Sequence, residues 1–210
     1  MTSSVRHNSR HAGDTFPPAA TISFWIVVHT LTIACSESGL SAPVGTNLPW
    51  SPSVMLLGMQ ILVSGLIFPS LLRTWRGLAL ASAVAVPFLA ISGRSAGTPV
   101  LLQLGEWGFL TAWLVALHPW AALAGRRNCR LNAAAAGALF TLGLPLLLYA
   151  MLDFRGTSPA TNLLGLHPLL AINGFSFLHL PPPQIWAVLL GICVIGGVSA
   201  FYSRSAPRDS

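Results

Sequence analysis

Few side chains of this sequence can ionise within an apolar stretch, and Glu106 is the first candidate for chemistry among them. It lies seven residues after Pro99. A helix that starts at that proline would place the carboxyl group about 10 Å along its axis from the membrane surface. Hydrocarbon does not solvate charge, so a carboxyl group at that depth needs a partner or a proton. We expect Glu106 to take part in substrate binding or gating. The alternative is an interfacial glutamate, on a helix that begins only near residue 106.

His29 and His118 are the next candidates, because each lies inside an apolar stretch. At 1.5 Å per residue, His29 would lie about 12 Å from the start of its stretch and His118 about 9 Å from the end of its own. Two histidines at matched depth on different helices could ligate a b-type haem. The alternative is that each imidazole bonds a neighbouring helix or faces the membrane interface. We predict no bound cofactor, with haem b as the alternative.

His167 and His179 lie in a long connection between two apolar stretches. Together with Glu106 they are candidates for a substrate or gate site. A metal site at these histidines would need further ligands, and the sequence shows none at a suitable spacing. We therefore predict no metal ion.

The sequence lacks the motifs of the common enzyme classes. It has no GxGxxG or GxxxxGK[ST] loop, no GxSxG elbow and no HExxH helix, so we predict that the protein is not an enzyme. Cys35, Cys129 and Cys193 are far apart and form no CxxC pair. The Ala34-Cys35 step loosely resembles a lipoprotein cleavage site, which leaves lipidation of Cys35 as an alternative.

The composition is that of a membrane protein. Hydrophobic residues make up 53% of the 210 residues and charged residues only 8%, against about 25% charged residues in soluble domains. Each bilayer span needs about 20 mainly apolar residues. The sequence predicts an all-α integral membrane protein, with six transmembrane helices near 22–39, 54–72, 77–93, 99–124, 131–153 and 184–203. Residues 1–21 and 204–210 would form cytoplasmic tails, the first of them disordered.

The arginines predict the orientation. The net charge is +6 and lysine is absent. With both termini inside, nine of the 11 arginines fall on the cytoplasmic side, and only Arg94 and Arg155 fall outside. This asymmetry favours the bacterial inner membrane as the location and the lipid bilayer as the main partner. The sequence has no long basic cluster of the kind that binds nucleic acid.

The connection between the fifth and sixth predicted spans, about 154–183, differs from the others. Its middle part, 162–172, is apolar but too short to cross the membrane and return as full helices. A re-entrant or interfacial segment on the outer side fits this pattern better. The prolines 181–183 would then end the segment before the last span.

The stretch Leu166-His167-Pro168-Leu169-Leu170-Ala171 looks like the SPLLAL-type element of ABC-2-type transporter permeases, with histidine in place of serine. The six-span plan with both termini inside is similar to that family as well. The resemblance implies a permease subunit that forms a homodimer and works with a separate ATP-binding cassette subunit. It makes Arg73, Trp75 and Arg76 the candidates for coupling to the ATPase. The loop at 72–77 is shorter than the family's coupling loop and carries no carboxylate.

Three functions therefore remain open at this stage. The first is the permease subunit of an ABC-2-like transporter. The second is a non-catalytic accessory or structural subunit of a larger membrane complex, which the scarcity of motifs favours. The third is a haem- or quinone-binding membrane redox protein that uses His29 and His118.

Overall fold

The computed structural model describes residues 19–37, 51–126, 129–147, 167–172, 175 and 183–205. All secondary structure within these ranges is helical, which confirms the predicted all-α class. The helices are numbered here in chain order: α1 (Ala19–Glu37), α2 (Pro52–Leu71), α3 (Trp75–Ser95), α4 (Val100–Arg126), α5 (Arg130–Leu147), α6 (Pro168–Ala171) and α7 (Pro183–Ser205).

Five of these helices are long and apolar enough to cross a membrane, namely α2, α3, α4, α5 and α7. Their apolar parts run over 18 to 26 residues, close to the roughly 20 that a bilayer core requires. This agrees with a multi-pass membrane protein. The remaining predicted span corresponds to α1, whose apolar part, Ala19–Cys35, is shorter. Most of the two predicted tails lies outside the described residues, although α1 and α7 each extend a few residues into them.

Short polar signals set the starts of two helices. The Ser51 hydroxyl accepts a hydrogen bond from the backbone N–H of Val54, and Pro52 occupies the first turn of α2. Thr74 accepts from the backbone N–H of Gly77 at 3.1 Å and starts α3 after a turn of only three residues. The α2–α3 connection is therefore as short as the sequence predicted.

Helices α2 and α4 form the centre of the bundle. α4 packs against α2, α3 and α7, and α2 packs against α1, α3 and α5. Three hydrogen-bonded pairs mark what we call the α2–α4 seam: Ser53 with Glu106, Ser64 with Trp113, and Leu72 with His118. These partners advance in the same direction along both helices, so α2 and α4 run parallel. The chain returns between them through α3.

The bundle thus has two ends, which we name by residues. The Thr98 end holds the start of α2 and the α3–α4 turn, where Gly97 has a φ of 68° that suits glycine. The Arg73 end holds the α2–α3 turn and the start of α5.

Helix α5 crosses α2 at closely approaching glycines. A Cβ atom at Gly137 would collide with the backbone carbonyl of Gly65, and one at Gly65 would collide with the Thr141 side chain. Small residues permit this approach, which helices in lipid use to gain van der Waals contact. The crossing holds α5 against the bundle, although most of the apolar surface of α5 is exposed.

This crossing yields a stability prediction. Gly137→Ala and Gly65→Ala should each lower stability by about 1–3 kcal/mol, because the new methyl group has no space to enter. Gly191→Ala in α7 is the matched control, since a Cβ atom there meets no atom within 4 Å. It should be neutral or slightly stabilising. Thermal unfolding in mild detergent measures the three variants. Equal melting temperatures for all three would contradict this packing.

Candidate functional site

Glu106 is fully buried where α4 passes the start of α2. Its exposed fraction is 0%, and its Oε1 atom accepts a hydrogen bond of 2.9 Å from the Ser53 hydroxyl. Its Oε2 atom has no hydrogen-bond partner among the described residues. A buried carboxyl group with one oxygen unpartnered is costly, and such groups occur at sites that bind or transfer something. The alternative of an interfacial Glu106 at the start of its helix does not fit this burial.

Hydroxyl groups surround the partnered side of this carboxyl group. The Ser53 hydroxyl lies 3.0 Å from the Ser51 hydroxyl and 3.4 Å from the Thr98 hydroxyl. The Gln103 side chain donates to the Thr98 carbonyl at 2.7 Å and braces the α3–α4 turn. Oxygen atoms from α2, α4 and the turn therefore converge on one point near the Thr98 end.

A polar stripe continues from this point along the buried face of α2. It consists of Ser53, Gln60 and Ser64, which are 0% to 1% exposed and recur at spacings of seven and four residues. The spacings correspond to steps of about 10 Å and 6 Å along the helix. Both amide atoms of Gln60 lack a partner among the described residues, whereas Ser64 accepts from the Trp113 indole at 2.9 Å.

Sequence reasoning overlooked Gln60. Its signal was present, because it is the one amide in a helix whose other polar side chains are serines, and it lies seven residues after Ser53. Spacing alone does not tell whether that face of α2 meets lipid or other helices, so the burial of Gln60 became evident only from packing.

His29 and His118 are not brought together. The His29 ring lies 4.9 Å from Phe88, and the His118 ring lies 4.2 Å from Trp75. These two partners are 13 residues apart on α3, about 20 Å along its axis. Two ligands of one haem iron must lie on either side of a single atom, so this arrangement gives no support to a haem shared between them.

Each of these histidines instead bonds a backbone carbonyl, His118 that of Leu72 at the end of α2 and His29 that of Trp25 in its own helix, α1. The Nδ1–H of His29 donates to the Trp25 carbonyl, and that of His118 donates to the Leu72 carbonyl, both at 2.6 Å. His118 thereby closes the end of the α2–α4 seam. The Nε2 atom of buried His29 has no partner among the described residues.

His167 fastens the apolar connection to α5. It is 3% exposed, and its Nε2–H donates to the Phe140 carbonyl at 2.8 Å. The sequence explains why that carbonyl is available. The segment Leu139–Gly143 forms a π-helical turn in which the Leu144 N–H bonds the Leu139 carbonyl, and the next residue, Pro145, has no N–H to offer. His167 therefore satisfies a carbonyl that the helix leaves unpaired.

The described part of the connection packs into the bundle. Ile172 and Phe175 are buried, and the Phe175 ring lies 6.2 Å from that of Phe109 on α4. α6 packs against α2. These contacts suit the re-entrant version of the predicted segment better than the interfacial one. His179 lies outside the described residues.

The proposed coupling residues lie at the Arg73 end. Trp75 is 66% exposed, and Arg73 and Arg76 are exposed beside it. A large exposed aromatic side chain at the end of a helix is typical of a membrane interface or a docking surface. Glu106 and His167 lie elsewhere in the bundle, so the proposed gate residues and the proposed coupling residues are separate sites.

Among the described residues, no group of three histidine, cysteine or acidic side chains could hold a metal ion. Of the three cysteines, Cys35 is exposed, and Cys129 and Cys193 are half-buried.

No family model, no curated protein and no solved structure matches this chain. The function proposed for this chain therefore rests on the geometry of the site.

The His167 contact predicts a pH dependence. Burial lowers the pKa of His167 below its usual value, although the hydrogen bond to Phe140 opposes this shift. The neutral ring is thus favoured in the folded protein, and the unfolded chain binds the proton more readily. Stability from this site is present above the usual histidine pKa, about 6.5, and is lost as the pH falls below it.

We expect acidification through this range to lower the protection of residues 167–172 against hydrogen exchange, once the rates are corrected for the pH dependence of intrinsic amide exchange. The variant His167→Gln keeps an N–H donor but cannot titrate, so it should remove that part of the pH dependence. The same pH profile in both proteins would assign the effect to other groups.

Proposed function

We propose that this chain is a membrane permease in which the Glu106 site binds and releases a proton or a cationic group during transport. The single observation that carries the proposal is the unpartnered Oε2 atom of Glu106, in a carboxyl group that is fully buried inside the helix bundle. Ionisable groups in such positions are a feature of proton and ion pathways.

The chemistry of the site supports this reading. In an apolar interior the carboxyl group can be protonated, or it can be ionised with a positive partner at Oε2. Ser53 can donate to Oε1 in either state, because both forms of a carboxyl group can accept a hydrogen bond. A change of occupant at Oε2 therefore does not require the Ser53 contact to break. Hydroxyl and carboxyl oxygens are also the ligands that small hard cations prefer.

Gln60 supplies the next step of a route. An amide group both donates and accepts hydrogen bonds. Because neither amide atom of Gln60 has a partner among the described residues, Gln60 can bond water molecules on both sides and link them into a chain. Gln60 lies about 10 Å from Ser53 along α2, a gap that a few waters can bridge. Ser64 and Trp113 then close the polar stripe with a direct hydrogen bond. The occluded end would open when α2 and α4 shift against each other.

A second, finer proposal concerns energy coupling. We infer that the permease belongs to an ABC-2-like transporter, whose separate ATPase subunit docks at Arg73, Trp75 and Arg76. The resemblance of the sequence and the exposure of Trp75 support this assignment. Because the turn is short, docking would rest on these side chains themselves rather than on a separate coupling helix.

The transport proposal is tested on the protein as isolated from membranes in mild detergent, with any subunits that it retains. Reconstituted vesicles with an internal pH-sensitive or sodium-sensitive dye should show proton or sodium movement, with or without added ATP. Glu106→Gln keeps the shape of the side chain and removes its charge. It should reduce the movement to that of protein-free vesicles.

Ser92→Ala is the matched control, because Ser92 is also a buried residue with an unpartnered oxygen but is not part of the proposed route. It should leave the movement intact. If Glu106→Gln transports as the parent protein does, the carboxyl group has no part in transport and the proposal fails.

The coupling proposal is tested by co-purification. An ATPase subunit should accompany the parent protein stoichiometrically, and the double variant Trp75→Ser with Arg76→Glu should lose it. Arg94→Glu changes an exposed arginine at the opposite end of the bundle and should retain it. Retention by the double variant would overturn the docking site. A stoichiometric complex that contains no ATPase would instead support the accessory-subunit function.

A further inference from the structure

A groove between α4 and α5 lies apart from the Glu106 site. Residues of α4 and α5 form most of its lining, and Gly65 and Phe68 of α2 and Ile192 of α7 complete it. The cavity volume is about 530 Å³, within the range of about 300–1,000 Å³ that is typical of small-molecule sites. Its lining is almost entirely apolar, with aromatic rings from Trp113, Trp120 and Phe140.

Beyond Asn132, which is exposed near the Arg73 end, the polar groups of these walls are hydrogen-bonded within the protein. The Trp120 indole donates to the Ile192 carbonyl at 3.0 Å, and the Thr141 hydroxyl donates to the Gly137 carbonyl at 2.8 Å. The ligand of this groove therefore needs a purely apolar part, without hydrogen-bonding groups along its length.

The length of the groove matches one leaflet of a bilayer. Its lining on the α5 side extends from Cys129 at the Arg73 end to Thr141, which is 12 residues or about 18 Å at helical rise. Half of a hydrocarbon core of about 30 Å is about 15 Å. A slot of this length, with one end at the Arg73 end of the bundle, fits an acyl chain that runs from the membrane surface to the midplane.

The mouth of the groove is positively charged. The Arg73 side chain crosses to α4, where its Nε atom lies 3.2 Å from the position of a Cβ atom at Gly125, next to groove residue Ala124. Arg130 is exposed and follows groove residue Cys129 directly. It begins α5, whose N-cap residue, Cys129, provides no side-chain hydrogen bond to the first backbone N–H groups.

Among the side chains that the structure describes, the one carboxyl group is that of Glu106, which lies towards the opposite end of the bundle from these arginines. A phosphate group therefore complements this mouth, since arginine bonds phosphate through two parallel N–H donors.

We propose that this groove binds an anionic phospholipid, with one acyl chain along α4 and α5 and its phosphate at Arg73 and Arg130. The lipid would cover part of the apolar face of α5 and brace it against α4. The proposal concerns a site distinct from the Glu106 carboxyl group, and it holds whichever solute the protein transports.

The test uses the whole chain, purified and delipidated in a neutral detergent. Its thermal unfolding is followed while phosphatidylglycerol, phosphatidylcholine or inorganic phosphate is added. Phosphatidylglycerol should raise the melting temperature, and the other two should have little effect. The double variant Arg73→Ala with Arg130→Ala should bind phosphatidylglycerol roughly tenfold more weakly or worse, as expected from the loss of two arginines at an anionic headgroup. Arg94→Ala is the control at the opposite end and should behave as the parent protein does.

Ala133→Trp tests the acyl-chain slot by filling it, and should remove the stabilisation by phosphatidylglycerol. If that variant does not fold, native mass spectrometry of the arginine variants still counts the bound lipid. Equal stabilisation by phosphatidylcholine would overturn the role of the arginines, and equal stabilisation by inorganic phosphate would overturn the role of the groove. A dimer that Ala133→Trp converts to monomers without any lipid dependence would identify a second copy of the chain as the occupant, which also overturns the proposal.

Discussion

The parallel seam between α2 and α4 is the interaction on which the rest of the structure depends. Polar side chains within a membrane gain little from the hydrophobic effect and must find partners, so each hydrogen bond across the seam specifies one register. Ser53 with Glu106, Ser64 with Trp113 and His118 with Leu72 fix that register at three depths. α1, α3 and α5 then pack on α2, and α7 packs on α4.

The incomplete part of the seam is where we propose that transport takes place. Ser64 and Trp113 bond each other, whereas Glu106 has one oxygen, and Gln60 its whole amide, without a partner among the described residues. An unsatisfied buried polar atom costs about 1–3 kcal/mol, so a proton, cation or water that partners these groups would offset that cost.

A backbone irregularity sets the position of the connection before α7. Pro145 removes an N–H donor from α5, and the π-helical turn before it shifts the neighbouring bonds, so that the Phe140 carbonyl lacks a donor from its own helix. His167 satisfies it from outside. A single proline thus creates the attachment point that holds an apolar segment inside the bundle, at Phe140, which also lines the groove.

The sequence by itself determined the all-α class, the multi-pass character and most helix positions, because these follow from runs of apolar residues and from caps such as Ser51 and Thr74. It also singled out Glu106, since a carboxyl group in an apolar run is visible without a fold. Only the tertiary structure decided that the face of α2 with Ser53 and Gln60 is buried, and that His29 and His118 lie far apart. Depth along a helix can be counted from the sequence, but the rotation and neighbours of each helix result from packing between segments distant in the chain.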